Sequence, residues 1–139
     1  MQKTSDLSEC LVLNTIAAAR VLLRHYDAKL KEFDVTAQQF ALLAAVRLYE
    51  GEPVATLAQR VFLDRTSLTR NLDLLERKGL VRRASGTVGN VRLCELTEKG
   101  SALLDQLLPE WQLSKSGLME GISEQDAATY LRVAKHLAR

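Results

Sequence analysis

The chain has 139 residues, 47% hydrophobic and 26% charged, with a formal net charge of +2, the composition of one ordinary soluble domain with enough apolar material for a core. The richest apolar stretches are interrupted by Arg, His or Asp within a few residues, which excludes a signal peptide or membrane span from the expectation. Cys10 and Cys94 form no CxxC pair and His25 and His136 stand far apart, so a reducing, cytoplasmic setting is expected, without a disulfide framework or metal site.

Met1–Ser5 reads as a frayed start. Asp6-Leu7-Ser8-Glu9 has capping-box-like spacing and is expected to open a long helix reaching about Glu32. Leu7, Leu11, Asn14, Ala17/Ala18, Val21 and His25 form one stripe along it. Leu13, Ile16, Ala19, Leu22 and Leu23 spread apolar character almost all round. A helix apolar on most sides is either central in a large core or shared with a partner. A domain this small cannot easily surround it, so a dimer interface is expected.

Thr36-Ala37-Gln38-Gln39 is a Thr-x-x-Gln capping box with Val35 placed for a staple. It starts a helix through Phe40, Leu43 and Ala44 to about Tyr49, which Gly51 and Pro53 end. Val54, Leu57, Ala58 and Val61 then recur at helical spacing. Asp64 is a good N-cap for the next helix, and Gly79 stands where that helix should stop, after Arg77 and Lys78.

On a helical wheel Leu68, Leu72 and Leu75 fall together and must face the core. Thr66, Thr69, Arg70, Asp73 and Arg77 lie opposite, with Arg65 and Ser67 near the N-terminal end. Short hydroxyl donors beside arginines are the mixture that contacts phosphates and base edges. A solvated face with scattered charge is the competing reading for this helix alone.

The segment that follows tips the balance. Leu80–Ala84 and Val91–Leu96 are β-prone runs joined by Ser85–Asn90, a turn rich in Gly, Ser and Asn, so a hairpin is expected. Two helices closed by a basic hairpin make a winged helix-turn-helix. Arg60–Arg92 holds eight basic residues against three acidic ones, a net +5 that leaves the rest of the chain at −3. The positive charge is concentrated where a DNA-reading surface would be.

DRTSLTRNLDLLERKGLVRR followed by LTEKG (Leu96–Gly100) resembles the MarR family of bacterial winged-helix regulators, and the flanking helices match in length and order. The resemblance implies a homodimer joined through its N- and C-terminal helices. It also implies that Thr66, Ser67, Thr69 and Arg70 lie in the major groove of double-stranded operator DNA. Arg65 and Arg77 are expected to clamp backbone phosphates, although Arg77 stands at i, i+4 spacing from Asp73 and has that pairing as an alternative. Of Arg82 and Arg83, one is expected to face phosphate, because strand neighbours alternate faces. Many relatives carry Asp-Arg-Arg at the wing tip. Here Val88, Gly89 and Asn90 occupy those positions, so no tip arginine is expected to enter the minor groove and Arg92 is the substitute cation.

After the wing, Thr97 is expected to cap a helix stapled by Leu96 and carrying Leu103, Leu104, Leu107, Leu108 and Trp111. Pro109 must kink or end it, and the resemblance favours a kink. Gly121 breaks the chain and Ser123-Glu124-Gln125-Asp126 caps a last helix with Ala127, Tyr130, Leu131 and Leu137. The expected fold is mainly α with a small β-hairpin wing. It is one domain over residues 1–139, with 6–34 and 101–139 as the helical dimerisation region and 36–100 as the winged helix-turn-helix.

Three weaker features complete the reading. Cys10 near the start of the first helix is a candidate redox sensor, against the commoner role of a buried or interface cysteine, while Cys94 suits packing. Family ligands, often aromatic acids, lie between the dimer helices and the winged domain. Asn14, Arg20, Arg24, His25 and Tyr26 are the candidates to meet a small aromatic or phenolic effector, their alternative being solvated or interface positions. Nothing resembles a nucleophile–base motif or a Gly-rich phosphate loop, so neither enzyme nor cofactor is expected. The expectation is a homodimeric, ligand-responsive regulator, most naturally a repressor. A thiol-redox regulator of the same fold and a winged module that binds protein instead of DNA are the alternatives.

Overall fold

The computed structural model describes residues 4–86, 89 and 91–139. Six helices and one hairpin follow in the order α1 (Leu11–Leu30), α2 (Ala37–Leu48), α3 (Val54–Val61), α4 (Arg65–Arg77), β1 (Val81–Ser85), β2 (Arg92–Leu96), α5 (Glu98–Leu118) and α6 (Glu124–Leu137). The chain divides into two compact units, Met1–Leu107 and Leu108–Arg139.

The start of the first unit departs from expectation. Thr4–Glu9 forms a 3-10 turn in place of a capped α-helix, and α1 begins only at Leu11. The Cys10 amide bonds back to the Leu7 carbonyl (3.1 Å), closing the tighter turn. The Asn14 side chain donates to the Ser8 carbonyl (2.9 Å), a group that a continuous helix would use for its own ladder, and to the Cys10 carbonyl (2.8 Å), which also accepts the Asn14 amide (3.1 Å). At its far end α1 tightens into a second 3-10 turn over Lys31–Phe33, closed by Asp34 in the left-handed region.

The next elements start where their caps stand. Thr36 accepts the Gln39 amide (3.1 Å), and the Gln39 side chain takes the Thr36 amide in return (3.2 Å). Asp27 of α1 accepts the Ala37 amide (2.7 Å), so a second orphan donor at this helix start is satisfied. Leu42, Leu43 and Val46 of α2, Leu57 of α3, Leu68, Leu72 and Leu75 of α4, and Leu104 and Leu107 of α5 are buried together in the core of the first unit. Arg47 fastens α2 to the first half of α5 through Asp105 (2.7 Å) and the Ser101 hydroxyl (2.9 Å) and carbonyl (3.0 Å).

The hairpin pairs Val81 with Leu96, Arg83 with Cys94 and Ser85 with Arg92. Thr97 fixes its base: the hydroxyl donates to the Gly79 carbonyl (2.5 Å) and accepts the Gly100 amide (3.0 Å), and the Thr97 amide reaches the Leu80 carbonyl (3.1 Å). This gives the Leu-Thr-x-x-Gly sequence a steric cause. A Cβ on Gly100 would lie 1.9 Å from the Leu80 carbonyl oxygen, so only glycine lets α5 start so close to the wing.

The helix of α5 continues through Pro109 to Leu118 and does not end at it. In the second unit the Ser123 hydroxyl accepts the Asp126 amide (3.1 Å), capping α6 as expected. No residue of α6 is buried, and Ile122, Tyr130, Leu131, Val133 and Leu137 are exposed. Within the first unit α1 is similar: only Tyr26 and Leu30 are buried, and Leu11, Val12, Leu13, Ile16, Val21, Leu22 and Leu23 are exposed. Among the described residues no helix is long and apolar enough to cross a membrane.

Candidate nucleic-acid interface

The helix-turn-helix is α3, a turn at Phe62–Asp64, and α4. Phe62 caps α3 in the left-handed region (φ +58°), which turns the chain sharply without a glycine. Asp64 then starts α4 by accepting the Ser67 amide (2.8 Å) and hydroxyl (3.0 Å). The backbone bond from Ser67, reinforced by its hydroxyl, holds the Asp64 carboxyl below its ordinary range.

With Leu68, Leu72 and Leu75 turned inward, the outer face follows from the helical period. Arg65, Thr66, Thr69, Arg70 and Asp73 line an open groove of about 420 Å³. Among the described residues, Arg65 and Arg70 make no ion pair, and both are exposed. Ser67 is half-buried and its hydroxyl is engaged by Asp64. Arg77 is exposed; its Nε lies 3.5 Å from the Asp73 carbonyl, and the Asp73 carboxylate takes a different partner.

The wing arginines separate by face. Arg82 points outward, its side chain 64% exposed, and pairs across the hairpin with Glu95 (2.6 Å). Arg83 turns toward α4. Its Nη2 reaches Asp73 (2.5 Å) and Glu76 (3.0 Å), and its amide donates to the other Glu76 oxygen (3.0 Å). The bonds from Arg83 pull the Glu76 carboxyl down, and Glu76 in turn raises Arg83. The alternation of strand faces thus selects Arg82 as the outward member, and Arg83 is spent on the helix. Arg92, at the start of β2, is exposed; a second cavity of about 440 Å³ between α3, α4 and the hairpin has Arg65, Thr69, Arg83 and Arg92 in its wall. The expected tip positions Val88 and Asn90, with Thr87, lie outside the described residues.

Two further basic residues counted in the sequence are also engaged. Arg60 pairs with Glu52 (3.0 Å) and stacks over Tyr49 at 4.6 Å, and Lys78 donates to the Asp34 carbonyl (2.5 Å). The part that sequence reasoning missed is therefore the pairing of acids across elements: Glu52 holds Arg60, Asp73 and Glu76 hold Arg83, and Asp34 holds Lys78. This takes three of the eight basic residues out of competition for DNA, while the Glu95 pair leaves Arg82 on the exposed face. The alternating acid–base composition was the available signal, but pairing across elements is not readable from spacing.

The α1 candidates do not gather on either groove. Arg20 and Arg24 are exposed, and Asn14 is committed to backbone carbonyls. Tyr26 is buried, which raises its phenol, and the His25 ring meets it edge-on at 5.4 Å. The Nε2 of His25 is buried without a hydrogen-bond partner among the described residues. Cys10 is half-buried at the N-cap of α1, and both cysteines are free. Cys94 is packed inside, and burial pushes its thiol up to about 11.

The sequence matches the MarR family over residues 33–89. It is 32% identical over 132 residues to the HTH-type transcriptional regulator SarZ of Staphylococcus saprophyticus, covering 94% of this chain and 88% of that protein. It is 28% identical to the HTH-type transcriptional regulator PecS of Dickeya dadantii, covering 95% and 85% respectively. Among solved structures, the M. tuberculosis transcriptional regulator MosR in complex with DNA shares 32% identity with a TM-score of 0.76, over 92% of this chain and 98% of that one. The repressor CouR bound to a 23-mer DNA duplex, 22% identical with a TM-score of 0.89 over 100% and 99%, agrees in fold. The helix-turn-helix, its hairpin wing and this kinship together make the chain a member of the MarR family of winged-helix, DNA-binding transcriptional regulators.

Proposed function

We propose that this regulator works as a homodimeric repressor of an inverted-repeat operator, with α4 in the major groove and the hairpin beside it. The observation that carries the reading is the outer face of α4. It presents Thr66, Thr69 and the Arg65 and Arg70 guanidiniums, which make no ion pair among the described residues, while the neighbouring Asp73 and Glu76 share Arg83 within the chain. Thr66, Thr69 and Arg70 read base edges in this arrangement, and Ser67, whose hydroxyl proton goes to Asp64, is left to act as an acceptor. Arg65 and Arg77 hold phosphates on the helix side, and Arg82 and Arg92 do so from the wing. The relative MosR was solved with DNA, which supports the same use of these elements here.

The dimer rests on the exposed apolar surface of α1 in one unit and of α6 in the other. Each large apolar side chain removed from water contributes about 1.5–3 kcal/mol, and two-fold symmetry uses every one twice. A two-fold protein requires a two-fold site, with half-sites about one helical turn apart. Release by a small aromatic or phenolic effector is proposed at Asn14, Arg20, Arg24, His25 and Tyr26, where the unsatisfied His25 Nε2 is the supporting feature.

The deciding experiment is operator binding titrated with salt. Four phosphate-holding cations per protomer, Arg65, Arg77, Arg82 and Arg92, predict a log–log slope of about −7 for two protomers. Binding insensitive to salt would favour a winged module that docks protein, and full occupancy of one asymmetric half-site by a single protomer would contradict the symmetric reading.

A further inference from the structure

Arg83 is the least exposed arginine of the interface, its side chain 19% accessible, and it is tied to α4 at two levels. Its guanidinium bridges Asp73 and Glu76, and its main-chain amide, on the edge of β1, is held by the same Glu76 carboxylate. A strand edge bonded to a helix side chain through the main chain fixes the strand in position, and the guanidinium adds direction because its donors form a rigid fork. Arg82 offers a contrast on the next residue. Its partner Glu95 belongs to the same hairpin, so that pair can brace the wing internally but cannot hold it to α4.

The second observation concerns charge. Asp73 lines the same groove as Arg65, Thr66, Thr69 and Arg70, so its carboxylate stands on the face offered to phosphate. Without a cation beside it, that carboxylate and Glu76 would repel the DNA backbone near Arg70 and Arg77. We infer that Arg83 is a positioning residue, which docks the wing onto the recognition helix and screens Asp73 and Glu76 from DNA while itself making no DNA contact; this rests on the DNA-binding reading above. Its action runs through two acids, and that makes it separable from a phosphate contact.

The test combines operator binding with hydrogen exchange on the free protein. Arg83→Met is made alone and together with Asp73→Asn and Glu76→Gln, and circular dichroism confirms that each variant is folded. In the otherwise unaltered chain Arg83→Met should weaken operator binding about tenfold, and in the double-amide background most of that loss should disappear because nothing is left to screen or clamp. Arg92→Ala, the control for a direct contact, should keep most of its cost in both backgrounds, since its link to this set is the Coulomb attraction to Glu76 and no hydrogen bond. Hydrogen exchange of the free Arg83→Met protein should rise in residues 81–85 and 92–96 and stay unchanged in α2, whereas general destabilisation would raise it throughout. An equal Arg83→Met loss in both backgrounds would assign Arg83 to DNA and overturn the inference, as would unchanged exchange in the two strands. If no variant, nor the unaltered protein, bound DNA, the recognition reading itself and the screening role would both fail, and the exchange experiment would still decide the docking role.

Discussion

The winged region and the helical ends solve opposite problems. Between Ala37 and Leu107 the chain buries Leu42, Leu43, Leu57, Leu68, Leu72, Leu75, Leu104 and Leu107 together, and the polar outer face of α4 is arranged by caps and ion pairs from within the chain. In α1 and α6 the order is inverted, with large apolar side chains facing outward and few or none inside. The first region closes around its own core and leaves positive charge unmatched on its surface. The second is unsatisfied in its hydrophobic surface. A protein built this way asks for two kinds of partner, a polyanion and an apolar surface, and each unsatisfied region names its own.

The contrast is broken most directly at the apolar ends. Leu13→Glu or Leu131→Glu places a charge on a surface proposed to be shared twice in a dimer, and should weaken association by about 5 kcal/mol. Sedimentation at micromolar concentration should then show a monomer, with the circular dichroism of the winged region retained. If the unaltered protein already sediments as a monomer, the apolar surface has some other use. Within the self-sufficient region, Gly100→Ala should cost about 3 kcal/mol or more, since its Cβ meets a backbone carbonyl that is itself hydrogen-bonded. Thermal or denaturant unfolding measures this, and an unaltered midpoint would show that the wing base can move.

Arg70→Ala should leave stability nearly unchanged and lower operator affinity by about 1–3 kcal/mol, with relaxed preference at one operator position. Loss of affinity from Arg92→Ala alone, with Arg70→Ala silent, would transfer recognition to the wing. A finer effect is expected with pH. The Asp64 and Glu76 carboxyls titrate below their ordinary values in the folded chain, so each contributes stability that is full above the unfolded carboxylate range and is lost as pH falls through the lowered folded value. NMR titration should place both midpoints below those of unpaired carboxyls, and Arg83→Met should return Glu76 upward while leaving Asp64 where it was. Smallest in energetic consequence is the thiol contrast. Raised from 9.0 to about 11, Cys94 has a thiolate fraction about a hundredfold lower than an unperturbed thiol, so alkylation at neutral pH should mark Cys10 first and reach Cys94 only on unfolding.

Much of the winged region was legible because its determinants are local. Thr36 with Gln39, Asp64 with Ser67, and the Leu68/Leu72/Leu75 stripe each operate within two turns of helix, the distance over which a sequence pattern has a geometric meaning. The hairpin was readable from its turn composition, to within a residue at each strand. The start of α1 was not. Asp6 and Glu9 have the spacing of a capping box, yet the Asn14 side chain captures the Ser8 carbonyl and the chain tightens into a 3-10 turn. The role of Arg83 was equally hidden, since its partners lie across a turn on another element, and adjacent arginines look alike until a strand has faces. Of the α1 ligand candidates only His25 emerged with an unmet hydrogen bond, a property of packing that no spacing encodes.

The stapled base of the hairpin has a consequence for how such a protein can diversify. The Thr97 amide closes onto the Leu80 carbonyl, Leu80 donates in turn to the end of α4, and Gly100 permits the approach. Everything between Leu80 and Thr97 therefore leaves and re-enters the body through one locked gate. Lengthening a loop whose ends are already fixed costs only about 0.6 kcal/mol per doubling. A longer or differently charged hairpin can therefore be carried on the same frame at little cost in stability.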